Sequence, residues 1–423
     1  MKELSVSIEI NGTQTHVGSI SGDTIHDARF KYDREYVDAE LPPISVSLPV
    51  SEENFSPEAT RNFFEGLLPE GFARKSVADW IHSSENDYLT ILKTLGSECL
   101  GAIRISDGDD VTASYEKLSL DEVKALAREG VSKSTELVTE AHLSLTGASG
   151  KAGLYYDNSN DSWYKPKGNA PSTHIVKQSH VRLMGIVTNE QLSLNTASML
   201  GIDIPDSFIV NTGDAREEEI LFATKRYDRF IDGDSRIING LACPYRLHQE
   251  DFSQALGIPS QDKYEKGDMR YLPKLFDALR SNAANPIEDQ LKLWDILVYD
   301  YLVGNTDNHI KNLSLLYSND LRSIRLAPAY DIVSTAIYSG SNREMAIGIG
   351  GERNIDVIGR NHFANAASDA GLNPRIALKR FDMMADRFEK ALSTAAENLS
   401  EEGYFNAKVI KEKILKHGGY GHL

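Results

Sequence analysis

The stretch that most constrains this chain is a long apolar helical pattern that stops at a glycine and gives way to a polar loop. From Pro286 onward, Leu291, Trp294, Leu297, Val298, Tyr301 and Leu302 recur at three- and four-residue steps, the period of a helix with a buried face. Proline suits the first helical turn and Gly304 supplies the stop. Asn305 to Asn312 then read as a loop, with Asp307 and Asn312 five positions apart. Leu313 to Tyr317 and Ser323 to Leu326 read as a short hairpin, and it leads to a further acid, Asp331, in Leu326-Ala-Pro-Ala-Tyr-Asp-Ile-Val-Ser334.

Two carboxylates and a carboxamide on adjacent loops suit phosphoryl transfer, which asks a protein mainly for positioning and charge neutralisation. The Asp-x-x-x-x-Asn spacing is that of a protein-kinase catalytic loop, where the aspartate orients the attacking hydroxyl and the asparagine holds magnesium. Asp307 is the expected catalytic residue; Asn312 and Asp331 are the expected Mg2+ ligands, because magnesium prefers hard oxygen donors. His309 and Lys311 lie in the same loop. A polar turn after a helix is the bland reading of Asp307 and Asn312; the added acid, Asp331, weighs against it. Lys177 ends the apolar run Thr173-His-Ile-Val-Lys and suits a strand lysine reaching ATP phosphates. Its alternative is a solvent-facing strand residue. Glu190 either pairs with Lys177 or places favourable charge at a helix N-terminus. The segment Ser144-Leu-Thr-Gly-Ala-Ser-Gly-Lys151 suits a loop over phosphates, with Gly147, Ala148 and Lys151 as contacts; alone it reads equally as a glycine-bearing turn. It is not a P-loop, since Leu145 and Ala152 stand where that motif needs glycine and a hydroxyl residue.

The 423 residues exceed one ordinary core. Strand patterns flank Asn11-Gly12, a hairpin signature; Ile44 to Val50 reads as another strand, and Ser56-Pro57 opens a helix. Further strands are expected at Leu143 to Thr146, Ala152 to Tyr156, Ser162 to Lys165 and Thr173 to Lys177, then a helix over Asn189 to Leu200. From about Leu247 the pattern is mainly helical. The expected fold is α+β: a two-lobed, protein-kinase-like architecture with a mixed α/β N-terminal lobe and a mainly helical C-terminal lobe, to which the family resemblance described below adds an N-terminal subdomain. The expected divisions are residues 1–113, 114–245 and 246–423.

Charge excludes simple nucleic-acid binding over the whole surface. Forty-five Lys and Arg against 62 Asp and Glu leave −17, and such a surface repels phosphates on average. Cys99 and Cys243 form neither a metal pair nor a disulfide framework. No apolar run suits a membrane span, and the N-terminus lacks a signal peptide's apolar centre. The expected location is the cytoplasm, with no membrane partner.

The sequence resembles the HipA family of toxin serine/threonine kinases from bacterial toxin–antitoxin systems. The likeness runs through Ser45-Val-Ser-Leu-Pro, Phe63-Phe-Glu-Gly-Leu-Leu-Pro-Glu, Gly96-Ser-Glu-Cys-Leu-Gly-Ala and Leu143-Ser-Leu-Thr-Gly-Ala. It continues through Ser172-Thr-His-Ile-Val-Lys, Arg226-Tyr-Asp-Arg, His248-Gln-Glu-Asp-Phe, Gly304-Asn-Thr-Asp-Asn-His-Ile-Lys-Asn and Pro328-Ala-Tyr-Asp-Ile. The resemblance implies ATP and Mg2+ as cofactors, Asp307 as the catalytic aspartate, Asn312 and Asp331 on magnesium, Lys177 on phosphates and His309 beside the transferred group. It implies Tyr227 and Asp228 near adenine and ribose. It also implies self-phosphorylation at Ser144, with Thr146 and Ser149 as fallback acceptors, since Ser149-Gly-Lys151 departs from the family's usual residues. Lys225 departs too, standing where an acid is usual. The implied target is a translation component such as an aminoacyl-tRNA synthetase. The implied partner is a HipB-like helix-turn-helix antitoxin, through which the chain would meet DNA. Two other readings remain open on the residues alone: a kinase of another protein or small molecule, and a largely silent DNA-bound corepressor.

Overall fold

The structure, a computed structural model, describes residues 3–108, 112–129, 151–179 and 183–423. These form two compact units, each discontinuous in sequence. The first draws on Met1–Gln178, Ala223–Ser260 and Leu315–Ile324; the second draws on Ser179–Phe222, Gln261–Ser314 and Arg325–Leu423. Strands and short helices mix in the first, and longer helices dominate the second, so the fold is α+β.

The first unit opens with the expected hairpin. Leu4–Ile10 and Thr13–Ser21 pair antiparallel, with Ile10 opposite Thr13. Asn11 and Gly12 both take positive φ, 50° and 74°, as a two-residue primed turn requires. Arg29–Tyr32 and Ile103–Ser106 complete a four-stranded sheet on either side of this pair. Ser56 caps the helix Pro57–Phe64 by accepting from the Ala59 amide at 3.1 Å. Behind the sheet, Phe30 meets Tyr32 and Phe64 with ring centroids 4.9 and 5.2 Å apart.

Ile44 to Val50 does not form the expected strand; it carries only an isolated bridge between Ser45 and Leu48. Its backbone is satisfied by side chains instead. The Tyr32 hydroxyl accepts from the Ile44 amide at 3.0 Å, and Glu250 accepts from the Val46 amide at 3.0 Å and from the Ser45 hydroxyl at 2.5 Å. Burial pushes the Glu250 carboxyl up to about 7.

In a second sheet Ser114–Lys117, Ser162–Lys167, Lys151–Asp157 and His174–Gln178 lie side by side in that order. The register places Lys151 directly opposite Lys177. The strand expected at Leu143 to Thr146, with Ser144, Gly147 and Ala148, lies outside the described residues.

The first unit also holds a buried charge cluster of three arginines and three carboxylates. Glu98 accepts from Arg226 at 3.0 Å, Arg229 at 2.9 Å and Arg246 at 2.8 Å. Asp228 pairs with Arg226 at 2.7 Å and Arg229 at 3.0 Å, and Glu9 with Arg246 at 3.3 Å. Burial alone would raise the Glu98 carboxyl, but the surrounding guanidinium groups hold it at about 2.

In the second unit the helix Ile186–Met199 begins three residues before the expected Asn189. Glu190 is therefore inside the helix and buried, so the helix-terminus reading of this residue fails. Pro286–Val303 lies at the centre of the unit. Its Trp294 donates to the Ala377 carbonyl at 3.0 Å, and Tyr301 packs on Phe363 with centroids 5.2 Å apart. Ala377 belongs to the long helix Pro374–Glu401. Among the described residues no helix is long and apolar enough to cross a membrane.

The charge cluster gives a stability prediction. Glu98→Gln leaves three buried guanidinium groups short of one compensating charge, at a cost of about 3–5 kcal/mol. Because Glu98 is depressed from its ordinary 4.5 to about 2, its contribution is full above pH 4.5 and is lost as pH falls toward 2. Urea denaturation of parent and variant at pH 7 checks this; equal midpoints would contradict it.

Candidate active site

The loop that carries Asp307 is built from the end of the central helix. Gly304 closes Pro286–Val303 in the left-handed region at φ 79°. A side chain there would meet the Ala336 Cβ and the Gly418 Cα, each at 2.9 Å. Glycine thus lets the chain turn within a packed surface. Asp300, one turn earlier and buried, braces the start of the loop. Its carboxylate accepts from the side-chain amides of Asn305, at 2.9 Å, and Asn308. Its carbonyl accepts from the Gly304 and Asn305 amides at 3.0 and 2.8 Å. Burial pushes the Asp300 carboxyl up to about 7, against the two asparagine bonds.

Thr306, Asn308, His309, Ile310 and Lys311 are buried, while Asp307 between them is exposed. The loop therefore presents one carboxylate from an immobilised backbone. The Asp307 carbonyl accepts from the His309 amide at 2.8 Å and from the Asn312 side-chain amide at 3.3 Å. The Tyr264 hydroxyl donates to Asp307 Oδ1 at 2.7 Å. Tyr264 also meets the His309 ring edge-on, with centroids 5.1 Å apart.

The segment carrying Asp331 is laced to this loop. Thr335 Oγ1 accepts from the Thr306 amide at 2.8 Å, the Ala336 amide donates to the Gly304 carbonyl at 2.9 Å, and the Ser334 hydroxyl donates to the Val303 carbonyl at 2.6 Å. The Tyr330 hydroxyl donates to the Lys311 carbonyl at 3.1 Å. The residues preceding Asn312 and Asp331 are thus tied directly. Asp331 itself is half-buried and takes φ 58°, a conformation that costs a non-glycine residue energy and clusters at functional sites. Beside the loop is a cavity of about 580 Å³ bordered by Tyr264, Thr306, Asp307, Thr335, Met345 and Arg353, among others.

The oxygen donors of Asn312 and Asp331 fit a magnesium ion. Among the described residues no group of three or more His, Cys, Asp or Glu suits a metal. Magnesium does not need one, since it is commonly bound by one or two protein carboxylates together with waters and substrate phosphates.

In the first unit, Lys151 and Lys177 are both half-buried cross-strand neighbours. Directly opposed residues share a sheet face, so the two ammonium-bearing side chains leave the sheet on the same side. Tyr227 is half-buried and its hydroxyl donates to the Gln249 side-chain oxygen. Asp228 is 1% exposed. Its Oδ1 accepts from Arg226 at 2.9 Å; its Oδ2 accepts from the Gly101 amide, Arg226 and Gln249 at 2.7, 2.7 and 3.0 Å.

Residues 143–392 match the HipA-like C-terminal domain, and residues 8–106 match the HipA N-terminal domain. The chain belongs to the HipA family. A Sinorhizobium fredii relative named "Putative kinase Y4mE" is 30% identical over 395 residues, covering 91% of this chain and 90% of its own. The Shewanella oneidensis serine/threonine-protein kinase toxin HipA is 23% identical over 405 residues, covering 92% and 89%. A chain in the solved complex of Shewanella oneidensis HipA, HipB and operator DNA superimposes with a TM-score of 0.78 at 21% identity, covering 97% of this chain and 96% of that one. The fold is thus the two-lobed, kinase-like HipA fold.

Sequence reasoning missed Asp300, Thr335 and Tyr264. Asp300 was the most accessible to it, being a lone acid between Tyr299 and Tyr301 in an otherwise apolar helical run. Tyr264 carries no local signal. Gly304→Ala combines the steric contact at Ala336 with an unfavourable φ, and should lower stability by about 1–3 kcal/mol. A urea midpoint unchanged from the parent would contradict the close packing described.

Proposed function

We propose that this HipA-family chain is an ATP-dependent serine/threonine kinase acting as the toxin of a toxin–antitoxin pair. The observation that carries the reading is the exposed Asp307 carboxylate on an otherwise buried loop, laced within one unit to the segment of Asp331. In this reading residues 1–113 are the added subdomain, 114–245 the kinase N-lobe and 246–423 the C-lobe.

Asp307 orients the acceptor hydroxyl and accepts its proton as the hydroxyl oxygen bonds to the γ-phosphorus. The bond from that phosphorus to the β–γ bridging oxygen breaks, and ADP leaves. Asn312 and Asp331 would hold magnesium, which would supply charge neutralisation to the triphosphate. Lys177 and Lys151, opposite one another on neighbouring strands, contact phosphates. His309, buried in the loop, is assigned a place beside the transferred group. Gly147 and Ala148 contribute backbone amides to the phosphates. Tyr227 lies toward the nucleoside. Asp228 acts with it indirectly, by anchoring the Arg226–Arg229 segment, because its carboxylate is engaged by arginines.

Ser144 is the proposed site of self-phosphorylation, and added negative charge there would oppose triphosphate binding. The acceptor in the cell is a protein hydroxyl, with an aminoacyl-tRNA synthetase as the proposed class. The Shewanella complex of HipA, HipB and operator DNA supports a HipB-like antitoxin as the partner of this chain and the route to DNA. The proposed location is the cytoplasm.

Incubation with Mg-ATP followed by intact-protein mass and peptide mapping tests this. The parent should gain phosphate, mapping to Ser144; Asp307→Ala and Asp331→Ala should lose at least about 100-fold in rate while keeping the parent's melting temperature. Full activity in Asp307→Ala would remove the catalytic assignment.

A further inference from the structure

We propose that Tyr264 is a positioning residue for the Asp307 carboxylate, setting the direction from which the acceptor hydroxyl is received. The inference rests on the catalytic reading of Asp307. It concerns a residue that lies far outside the Asp-x-x-x-x-Asn loop in sequence, from a segment to which nothing else assigns a role.

The loop fixes the backbone of Asp307; the rotation of its side chain is set by what its carboxylate bonds. A donor to that carboxylate comes from elsewhere in the unit, as the Tyr264 hydroxyl at 2.7 Å from Oδ1. Holding Oδ1 fixes the plane of the carboxylate, and with it the direction of Oδ2. Tyr264 is itself held on rigid support. Its ring is buttressed edge-on by His309, and the Lys263 ammonium lies 5.4 Å from the ring centroid. The next residue, Glu265, is buried and tied on several sides. Its carboxylate accepts from the Tyr271 and Gly348 amides at 2.6 and 2.8 Å. Its amide donates to the Ala346 carbonyl at 3.1 Å, and its carbonyl accepts from Arg353. Gly348 has no room for a side chain, since a Cβ would meet Glu265 Oε2 at 2.8 Å.

Such support is more than a surface hydrogen bond needs. A bond between an exposed carboxylate and a half-exposed phenol adds little to folding. A reacting carboxylate, by contrast, gains rate from being fixed, because small misplacement of a catalytic group costs turnover. Tyr264 and Asp307 also border the same cavity of about 580 Å³, which Thr306 and Arg353 line as well. The carboxylate is thus oriented at the edge of a space able to admit a side chain of an acceptor polypeptide.

The test is the initial rate of phosphate gain by the full chain from Mg-ATP, read by intact-protein mass at several ATP concentrations, comparing the parent with Tyr264→Phe. Phenylalanine keeps the ring contact with His309 and removes only the hydroxyl, so the melting temperature should stay at the parent's value. The maximal rate should fall by about 10-fold, the size expected for losing one hydrogen bond to a charged group, while KM for ATP stays within about twofold. An unchanged rate in Tyr264→Phe with an active parent would overturn the positioning role and leave the kinase reading standing. A raised KM with an unchanged maximal rate would overturn it also, by making Tyr264 a nucleotide contact. A parent that gains no phosphate would instead overturn the self-phosphorylating kinase reading, and this inference with it.

Discussion

A loop that offers a carboxylate to solvent must have its own polar backbone satisfied from behind, and in this chain Asp300 meets that requirement. It sits in the last turn of an apolar helix, where an acid is costly to bury. That cost is offset by four bonds from residues 304 to 308, two from asparagine side chains and two from backbone amides. With Asn305 and Asn308 held in this way, Asp307 lies between buried neighbours on a backbone that has little freedom left. Gly304 makes the arrangement sterically feasible, because only a residue without a side chain can turn where Ala336 and Gly418 approach so closely.

The same logic extends outward within the unit. Thr335, Ala336 and Ser334 bond to the backbone of Val303 to Thr306, and Tyr330 bonds to the carbonyl of Lys311. Asn312 and Asp331, though distant in sequence, therefore sit on two segments that cannot move independently. In the other unit a different device fixes the nucleotide-side candidates. Glu98 gathers Arg226, Arg229 and Arg246, so the Arg226–Arg229 segment is immobilised by ion pairs rather than by an apolar core. A cluster of this kind contributes little net stability when complete but is costly to break, which suits a segment whose geometry matters more than its strength.

Much of this was legible where the deciding interactions are local. Asn11-Gly12 specified its hairpin turn, Ser56-Pro57 its helix start, and Pro286 and Gly304 the two ends of the central helix. Asp307 and Asn312 could be singled out because their spacing lies within one loop. Features set by distant partners were not legible. The carboxylates and arginines of the buried cluster run from Glu9 to Arg246; Arg226-Tyr-Asp-Arg holds three of them, but no period or motif joins these to Glu9, Glu98 and Arg246. Ile44 to Val50 has a strand's composition, yet side chains of Tyr32 and Glu250 take the hydrogen bonds that a neighbouring strand would need. Glu190 reads as a helix-start residue because the turn that begins at Ile186 carries no capping side chain to announce it. Asp228 shows a further limit: a motif can mark a residue's position without revealing that neighbouring arginines already engage its carboxylate.

The proposed chemistry depends most on Asp331 and Asn312 forming a magnesium site for a bound triphosphate. Calorimetric titration of the full chain with a non-hydrolysable ATP analogue, in magnesium and in EDTA, tests this without requiring turnover or a known acceptor. The expected result is at least about 10-fold tighter binding with magnesium in the parent, and no such gain in Asp331→Ala. Equal affinity with and without magnesium, or a gain that survives in Asp331→Ala, would contradict it.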